Sequence, residues 1–237
     1  IHRNAVDMRN LISELLDFRK QEQGFNKLRV EQVDMVEYLR EIYDTFSDNA
    51  ARKSISYNFE PEEDGIMAYI DPRQFYKVIY NLLSNAFKYT DRQGDVTMRI
   101  LQQRGHIIIQ VQDNGTGIPA ESISRIFERF YQVEFGSSEL GVGTGIGLAL
   151  AKEIVEHHKG SISVSSTVDE GSIFEIVLQT GSAHFSDDEL ADSASISGKF
   201  IIPESTGRTE TMIPHRNNAH EGKEEFQTPS ENLNDDR

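Results

Sequence analysis

Apolar residues recur along this chain with two different periods, and each period predicts a different kind of element. Spacings of three and four residues indicate helices with one apolar side, whereas alternation indicates strands with one buried face. The helical period predicts helices over residues 1–22, 35–51, 72–86, 119–127 and 148–155. Alternation or a short apolar run predicts strands at residues 55–59, 67–70, 96–100, 107–111, 162–164 and 173–178.

The first predicted helix, over residues 1–22, carries an apolar stripe that it cannot bury by itself. The stripe has heptad spacing and consists of Ile1, Ala5, Met8, Ile12 and Leu15, widened by Leu11 and Phe18. The helix either packs onto the chain's own domain or contributes to an intermolecular bundle, and we favour the bundle.

The composition limits the classes of protein and partner. The chain has 237 residues, a formal net charge of −15 and no cysteine. The deficit of Lys and Arg argues against nucleic acid as a partner, and the absence of cysteine excludes disulfides and thiolate zinc sites. No apolar run approaches the ~18 residues that a membrane-spanning helix needs. The chain begins at Ile1 without a signal-peptide pattern, and we expect a piece of a longer protein.

The last quarter of the chain has a different character. Residues 181–237 contain 12 Asp and Glu against five Lys and Arg, with Ser, Thr, Asn and Pro throughout. A segment this polar cannot offset its ordering entropy by burying apolar surface. We therefore expect an acidic, disordered linker or tail from residue 181.

Three polar residues share one face of the helix that begins after Asp71. Asn81, Asn85 and Lys88 are four and three residues apart, opposite the apolar stripe, so they can line a cleft. An amide oxygen is a suitable ligand for Mg²⁺ when ATP and water fill its other positions, and a lysine neutralises phosphate charge. The simpler interpretation is a solvated helix face.

An aspartate and two glycines follow an apolar strand. Asp113 at the strand end can accept a hydrogen bond from an exocyclic amino group, which adenine has at that edge and guanine lacks. Gly115 and Gly117 permit a tight turn and close approach of the backbone to a flat base. The simpler interpretation is an ordinary Asp-Asn-Gly turn.

Four alternating glycines open a further helix. Gly141, Gly143, Gly145 and Gly147 precede the helix over residues 148–155, where free N–H groups and the helix dipole attract phosphate. The spacing is not the G-x-G-x-x-G of dinucleotide folds, and no lysine follows as in a G-x-x-x-x-G-K loop. A flexible hinge remains the alternative.

In this order, four runs resemble the ATP-binding domain of sensor histidine kinases, within the superfamily of gyrase, chaperone and kinase ATPases. They are Asn81-Leu-Leu-Ser-Asn85-Ala-Phe-Lys88, Asp113-Asn-Gly115-Thr-Gly117-Ile118, Phe127-Glu-Arg-Phe130 and Gly143-Thr-Gly145-Ile-Gly147-Leu148. The resemblance implies an α/β two-layer sandwich, a mixed sheet with helices on one face. It divides the chain into the second helix of a dimerisation and phosphoacceptor domain (1–23), a linker (24–34), the catalytic ATP-binding domain (35–180) and the tail (181–237).

The resemblance also implies roles for single residues in a Mg-ATP site. Asn85 would bind Mg²⁺ beside Asn81, and Lys88 would contact phosphate, which makes Asn85 and Lys88 the expected catalytic pair. Tyr89 would lie near the adenine that Asp113 recognises. The other expected nucleotide contacts are Gly115, Gly117 and Ile118 at the base, Phe130 with Phe127 at one end of a lid over residues 131–142, and Gly143, Thr144, Gly145, Gly147 and Leu148 at the phosphates, with Gly171 as the last glycine motif.

The chain departs from the family pattern at two points. The phosphoacceptor run, His-Glu followed by Arg-Thr-Pro, is absent: His2 precedes Arg and Asn, and we interpret His157 and His158 as favourable cations at a helix C-terminus. Relatives that hydrolyse ATP carry a glutamate at the position of Asn81. An amide cannot activate water as a general base, which favours transfer to another nucleophile.

The implied function is therefore the catalytic core of a sensor histidine kinase. It would transfer the γ-phosphoryl group of Mg-ATP to a histidine and onward to a receiver aspartate, although the chain alone should not phosphorylate itself. We expect a homodimer through the N-terminal helix and a response-regulator receiver as partner, possibly in the same hybrid polypeptide. The parent protein would be anchored in the inner membrane with this piece in the cytoplasm. The alternatives are an ATP-hydrolysing dimerisation clamp and a non-catalytic dimerising adaptor.

Overall fold

The computed structural model of this chain describes residues 28–133 and 144–191. The predicted helix over residues 1–22, the glycine at 143 and the chain beyond residue 191 lie outside these ranges. In the described part, no helix is long and apolar enough to cross a bilayer. The helices are α1 (Met35–Lys53), α2 (Pro72–Tyr89), α3 (Ala120–Ile123) and α4 (Gly147–His157), and the strands are β1 (Glu31–Asp34), β2 (Ser56–Pro61), β3 (Met67–Ile70), β4 (Asp95–Gln103), β5 (His106–Asp113), β6 (Ser161–Thr167) and β7 (Gly171–Gln179).

Five strands form one mixed sheet in the order β2-β4-β5-β7-β6. Strand β2 runs parallel to β4, whereas the three other neighbouring pairs are antiparallel. Strands β1 and β3 form a separate antiparallel ladder. The central strands β4, β5 and β7 bury every second residue, which is the pattern of a sheet covered on one face.

The hydrophobic core lies between this sheet and the helices. Ile100, Ile109 and Ile176 pair across three neighbouring strands and are fully buried, in one cluster with Leu83 of α2 and Ile154 of α4. Cutting such a side chain back to alanine costs about 2–5 kcal/mol in a typical core. The predicted two-layer sandwich, with a mixed sheet and helices on one face, is confirmed.

Aspartates start the two long helices. Asp34 accepts hydrogen bonds from two backbone N–H groups in the first turn of α1, at 2.9 and 3.3 Å. Asp71 accepts two in the first turn of α2, both at 3.1 Å, and Pro72 occupies the first helical position. Such a cap is worth about 0.5–2 kcal/mol, because it satisfies donors that the helix leaves open. The predicted start of α2 is confirmed.

Two segments differ from their sequence interpretation. Residues 24–34, expected to be a linker, contain β1, which pairs with β3; its run Glu-Gln-Val-Asp has one apolar residue and so shows no alternation. The helix expected over residues 119–127 is shorter, because regular α-helix ends at Ile123. Beyond it, backbone hydrogen bonds reach back either three residues, as from Glu128 N–H to Arg125 O (2.8 Å), or four, as from Ile126 N–H to Ser122 O (3.0 Å), and the segment continues as turns.

The chain also remains packed beyond residue 181, where we expected the disordered tail to begin. Phe185 is only 8% exposed and clusters with Leu28 and Val30. The Val30 N–H donates to the Glu189 carbonyl at 2.8 Å, and the Val30 carbonyl accepts from the Ala191 N–H at 2.9 Å. A single aromatic residue in a polar run gives no periodic pattern in the sequence. This packing is therefore visible only in the tertiary structure.

Candidate functional site

The polar face of α2 is accessible while its apolar face is anchored in the core. Asn81, Asn85 and Lys88 are each half-buried along one side of the helix. The opposite side is buried through Val78, Ile79, Leu82, Leu83 and Ala86. The 3.6-residue period of the helix separates the two sets. The three predicted polar residues therefore share one accessible side of a rigid element.

Asp113 ends β5 with a buried carboxyl group. The residue is 6% exposed, and Oδ1 accepts a hydrogen bond from the Gly115 N–H at 2.9 Å. Burial raises the pKa of Asp113, while the backbone N–H groups of Gly115 and Ser172 act in the opposite direction. Because a carboxylate offers about four acceptor positions, this group retains the capacity to accept a further donor.

Three glycines bring the backbone segments around Asp113 into direct contact. A Cβ atom at Gly115 would lie 2.3 Å from the carbonyl oxygen of Tyr89, and one at Gly117 would lie 2.0 Å from the last carbonyl oxygen of β6. At Gly171 the φ angle is +108°, and a Cβ atom would lie 2.0 Å from the Asp113 carbonyl oxygen. Any side chain would therefore separate these segments. The loop after Asp113 is wedged between the end of α2 and the β6–β7 turn.

Hydrogen bonds hold the same loop on both sides. The Thr116 N–H donates to the Tyr89 carbonyl at 3.2 Å, and the Thr116 carbonyl accepts from the Asp169 N–H at 2.9 Å. The Ile118 N–H donates to Ser166 Oγ at 2.8 Å, and that hydroxyl donates to a backbone carbonyl of β7 at 2.7 Å. Sequence reasoning missed Ser166, because it reads as one of several alternating polar residues in a strand.

Helix α4 begins directly against α2. A Cβ atom at Gly147 would lie 2.8 Å from Asn81 Oδ1. The N-cap residue Ile146 makes no side-chain capping bond, although its own N–H donates to Thr144 Oγ1 at 3.2 Å. The first-turn N–H groups of this 11-residue helix, with the positive end of its dipole, therefore lie beside Asn81. The predicted anion-binding helix start thus lies beside the predicted polar row.

The two ends of the segment between α3 and α4 are joined. The Phe130 N–H donates to the Gly145 carbonyl at 2.9 Å, and both residues have positive φ, 63° and 71°. Phe127 packs edge-on against Phe174 at 6.4 Å between ring centroids, whereas Phe130 is 64% exposed. Residues 134–143, which include Gly143 and most of the predicted lid, lie outside the described residues.

Lys88 and Tyr89 end α2, Ile118 follows the loop after Asp113, and Leu148 lies in the first turn of α4. The Lys88 ammonium sits 5.0 Å from the centroid of the Tyr89 ring. Ile118 and Leu148 are half-buried and pack against the core. Among residues 28–133 and 144–191, no three His, Asp or Glu side chains gather as a metal-binding group.

The interpretation of His158 as a helix-terminal cation is wrong. The residue is 1% exposed, and its Nε2 accepts a hydrogen bond from the Asp71 N–H at 2.9 Å. Burial lowers the pKa of His158, so the ring is neutral. His157 is exposed, as expected.

Comparisons with known proteins agree with this geometry. Residues 70–182 match the family described as "Histidine kinase-, DNA gyrase B-, and HSP90-like ATPase". Histidine kinase P4 of Formosa agariphila is 37% identical over 200 residues, which cover 83% of this chain and 15% of that protein.

Two solved structures share the fold. Full-length ShkA in complex with AMPPNP has a TM-score of 0.66 at 23% identity, covering 76% of this chain and 38% of that one. Histidine kinase ThkA in complex with the response regulator TrrA has a TM-score of 0.64 at 20% identity, covering 78% and 50%.

The fold and the matched residues define an ATPase domain of the histidine kinase, gyrase and HSP90 class. With the 37% identity to a curated histidine kinase, the chain carries an ATP-binding domain of the sensor histidine kinase type. The resemblance drawn from the four motifs is confirmed. The chain spans only 15% of the length of that relative, so the domain is established and the activity of a whole protein is not.

Proposed function

We propose that this chain is the catalytic core of a sensor histidine kinase, which transfers the γ-phosphoryl group of ATP to a histidine and onward to a receiver aspartate. One observation carries the assignment: α2 contacts both halves of the site. Its last carbonyl, on Tyr89, meets the loop after Asp113, and its Asn81 meets the start of α4 at Gly147. A base-recognising carboxylate and an anion-attracting helix start therefore flank one polar helix face.

At the base end, Asp113 would accept a hydrogen bond from the adenine amino group. The buried position of its carboxyl group strengthens such a bond, because little water competes for it. Gly115 and Gly117 would let the base approach the backbone, with Ile118 against one side of it and Tyr89 near its edge. Guanine presents a carbonyl oxygen at that position, so the same carboxylate would reject it.

At the phosphate end, backbone N–H groups of α4 and the Lys88 ammonium would balance the triphosphate charge. Gly143, Thr144, Gly145, Gly147 and Leu148 would follow the phosphate chain, and Phe130 would border it from the lid side. Mg²⁺, when bound, would neutralise charge on the phosphates, with Asn85 as its protein ligand because amide oxygens suit this hard cation.

Phosphoryl transfer rather than hydrolysis follows from the residue at position 81. Asn81 faces the start of α4 where a water-activating carboxylate would be needed for hydrolysis. An amide cannot take a proton from water, so the bound triphosphate would persist until a histidine attacks it.

We extend the proposal to the whole protein in four points. The N-terminal helix forms a homodimer bundle, the phosphorylated partner is a response-regulator receiver, the receiver follows in the same hybrid polypeptide, and the parent protein is anchored in the inner membrane. The complex of ThkA with TrrA supports a receiver partner, and ShkA with AMPPNP supports a bound triphosphate.

Calorimetric titration of the chain with Mg-ATP tests the proposal. We expect a single site per chain, at least about tenfold weaker in Asp113→Ala, since a hydrogen bond to a charged group is worth about 1.5–3 kcal/mol. Asp64→Ala is the matched control, because Asp64 is an exposed aspartate in the turn between β2 and β3. Incubation with γ-labelled ATP should leave the chain unlabelled and release no phosphate.

Each other outcome points to a different function. Steady phosphate release that Asp113→Ala abolishes would identify an ATP-hydrolysing clamp. No heat of binding at millimolar Mg-ATP would identify a non-catalytic adaptor. Incorporation of label into the chain itself would identify His2 or another acceptor within these residues.

A further inference from the structure

Helices α2 and α4 pack against each other along their shared length, with a close contact at each end. At one end Gly147 meets Asn81, and at the other His158 meets Asp71. The helix rise of about 1.5 Å per residue gives about 15 Å from Asp71 to Asn81 and about 16 Å from Gly147 to His158. The helices therefore lie antiparallel, with a polar contact at the end that His158 and Asp71 form.

The contact at His158 has a defined chemistry. Nε2 lies 2.9 Å from the Asp71 nitrogen, which can only donate, and Nδ1 lies 2.7 Å from the Ile154 carbonyl oxygen, which can only accept. Only the neutral ring with its proton on Nδ1 satisfies both partners. The ring also packs edge-on against Phe75 of α2 at 5.5 Å between centroids.

Asp71 is held from several directions at this point. Its carboxylate caps α2, accepts from the Gln74 side chain at 3.2 Å, and accepts from the Arg29 N–H at 3.3 Å, while its own N–H binds His158. The start of α2, the end of α4 and the chain entering the domain thus share one buried polar junction.

The charged and titratable groups around His158 come from each of these elements. Asp71 favours a protonated ring, whereas His157 and Lys159 oppose it, and burial opposes it most strongly. Lys159 in turn pairs with Glu189 at 3.2 Å. A protonated ring would direct Nε2–H at the Asp71 N–H, so the junction requires the neutral form.

We propose that His158 is a positioning residue for nucleotide binding, acting through Asp71 to hold α4 in place along α2. The inference rests on the proposed function, because it assigns Asn81, Asn85 and Lys88 on one helix and the N–H groups at Gly147 on the other to the same triphosphate. Losing the junction removes the hydrogen bond that holds the end of α4 against the start of α2, and a displacement of about 1 Å at such a site can cost about 100-fold in the affected step.

Two substitutions separate the hydrogen bond from the packing. His158→Gln keeps an acceptor oxygen near the position of Nε2, and we expect affinity for Mg-AMPPNP within about twofold of the wild-type chain. His158→Phe keeps a ring against Phe75 but leaves the Asp71 N–H without its acceptor. We expect its affinity to fall by about tenfold, equivalent to about 1.4 kcal/mol.

Two controls separate positioning from general loss of stability. His157→Phe adds the same ring at the exposed neighbouring position and should change nothing. Phe59→Ala removes a half-buried ring from β2, at the sheet edge opposite β6, where it packs on Tyr43 of α1 at 5.8 Å between centroids, so it should lower the melting temperature while affinity stays the same. Titrations are run on the full chain, about 15 °C below the lowest melting temperature of the set.

The outcomes are distinguishable. Equal affinity of the wild-type chain and His158→Phe overturns the positioning role, and so does an equal loss in His158→Gln or in Phe59→Ala. Absence of any Mg-AMPPNP binding by the wild-type chain overturns the proposed function itself, and this inference with it.

Discussion

The two ends of the proposed nucleotide site are built in different ways. At the base end, the loop after Asp113 is joined to α2, β6 and β7 by hydrogen bonds and by glycine contacts that exclude a Cβ atom. At the phosphate end, α4 starts without a side-chain cap, and its place depends on contacts with α2 at Asn81 and Asp71.

Because of this difference, we expect the two ends of the proposed site to be affected differently by small structural changes. Short-range packing holds the loop at the base end in one conformation. We therefore expect the geometry that selects the base to be present already in the ligand-free protein. The phosphate end depends on how two helices lie against each other, so a small relative displacement changes it without unfolding anything. We therefore expect substitutions at the base end to act strongly on stability and binding together, and those at the phosphate end to act mainly on binding.

The largest effect is expected from Gly171→Ala at the base end. A Cβ atom there would lie 2.0 Å from the Asp113 carbonyl oxygen, in a backbone with φ of +108°. We expect a loss of about 3 kcal/mol in the free energy of unfolding, measured with urea, and loss of Mg-ATP binding. Gly65→Ala is the control, because Gly65 also has positive φ (+73°) but nothing within 4 Å of the added atom. Gly65→Ala should lower the free energy of unfolding by only about 1 kcal/mol. An equal loss at both positions would contradict the close contact of Gly171 with the Asp113 carbonyl oxygen.

A smaller effect is expected from Asn85→Ala at the phosphate end. Asn85 is half-buried on the accessible side of α2, so its loss leaves the core intact. We expect unchanged urea stability and about tenfold weaker ATP binding in the presence of Mg²⁺. Repeating the titration with ATP and excess chelator provides the internal control, since the two proteins should then bind equally. A loss of ATP affinity of the same size without Mg²⁺ would show that Asn85 is not a ligand of the metal.

The smallest effect concerns pH at the junction that orders the phosphate end. Burial lowers the pKa of His158 below its ordinary value of 6.5, so the unfolded chain takes up this proton first. The resulting contribution to stability is complete above pH 6.5 and declines as pH falls towards the lowered pKa. We expect the melting temperature of the wild-type chain to drop by a few degrees more than that of His158→Gln between about pH 7 and about pH 5.

The difference in melting temperature between the wild-type chain and His158→Gln isolates the titration of His158. His184, whose pKa is also lowered by partial burial and by Lys159, titrates alike in both. If the melting temperatures of the two proteins change equally with pH, the neutral ring is not needed for the junction.

Local patterns in the sequence predicted most elements and supplied most residues of the candidate site. The Asp71-Pro72 start of α2, its apolar stripe and the polar row of Asn81, Asn85 and Lys88 are all read within one helix, because helix periodicity and capping depend on near neighbours. Asp113 with its glycines was recognisable for the same reason: a turn after an apolar strand is a short-range signal.

Tertiary structure alone decided the contacts between segments far apart in the chain. His158 meets Asp71 across 87 positions, and Ser166 meets Ile118 across 48. The pairing of β1 with β3 and the packing of Phe185 on Leu28 likewise leave no periodic trace. A residue type and its neighbours specify what a side chain can donate, accept or bury, but the partner is chosen by the packing of the whole domain. The sequence by itself therefore determined which groups could hold a nucleotide, and the fold decided which of them meet.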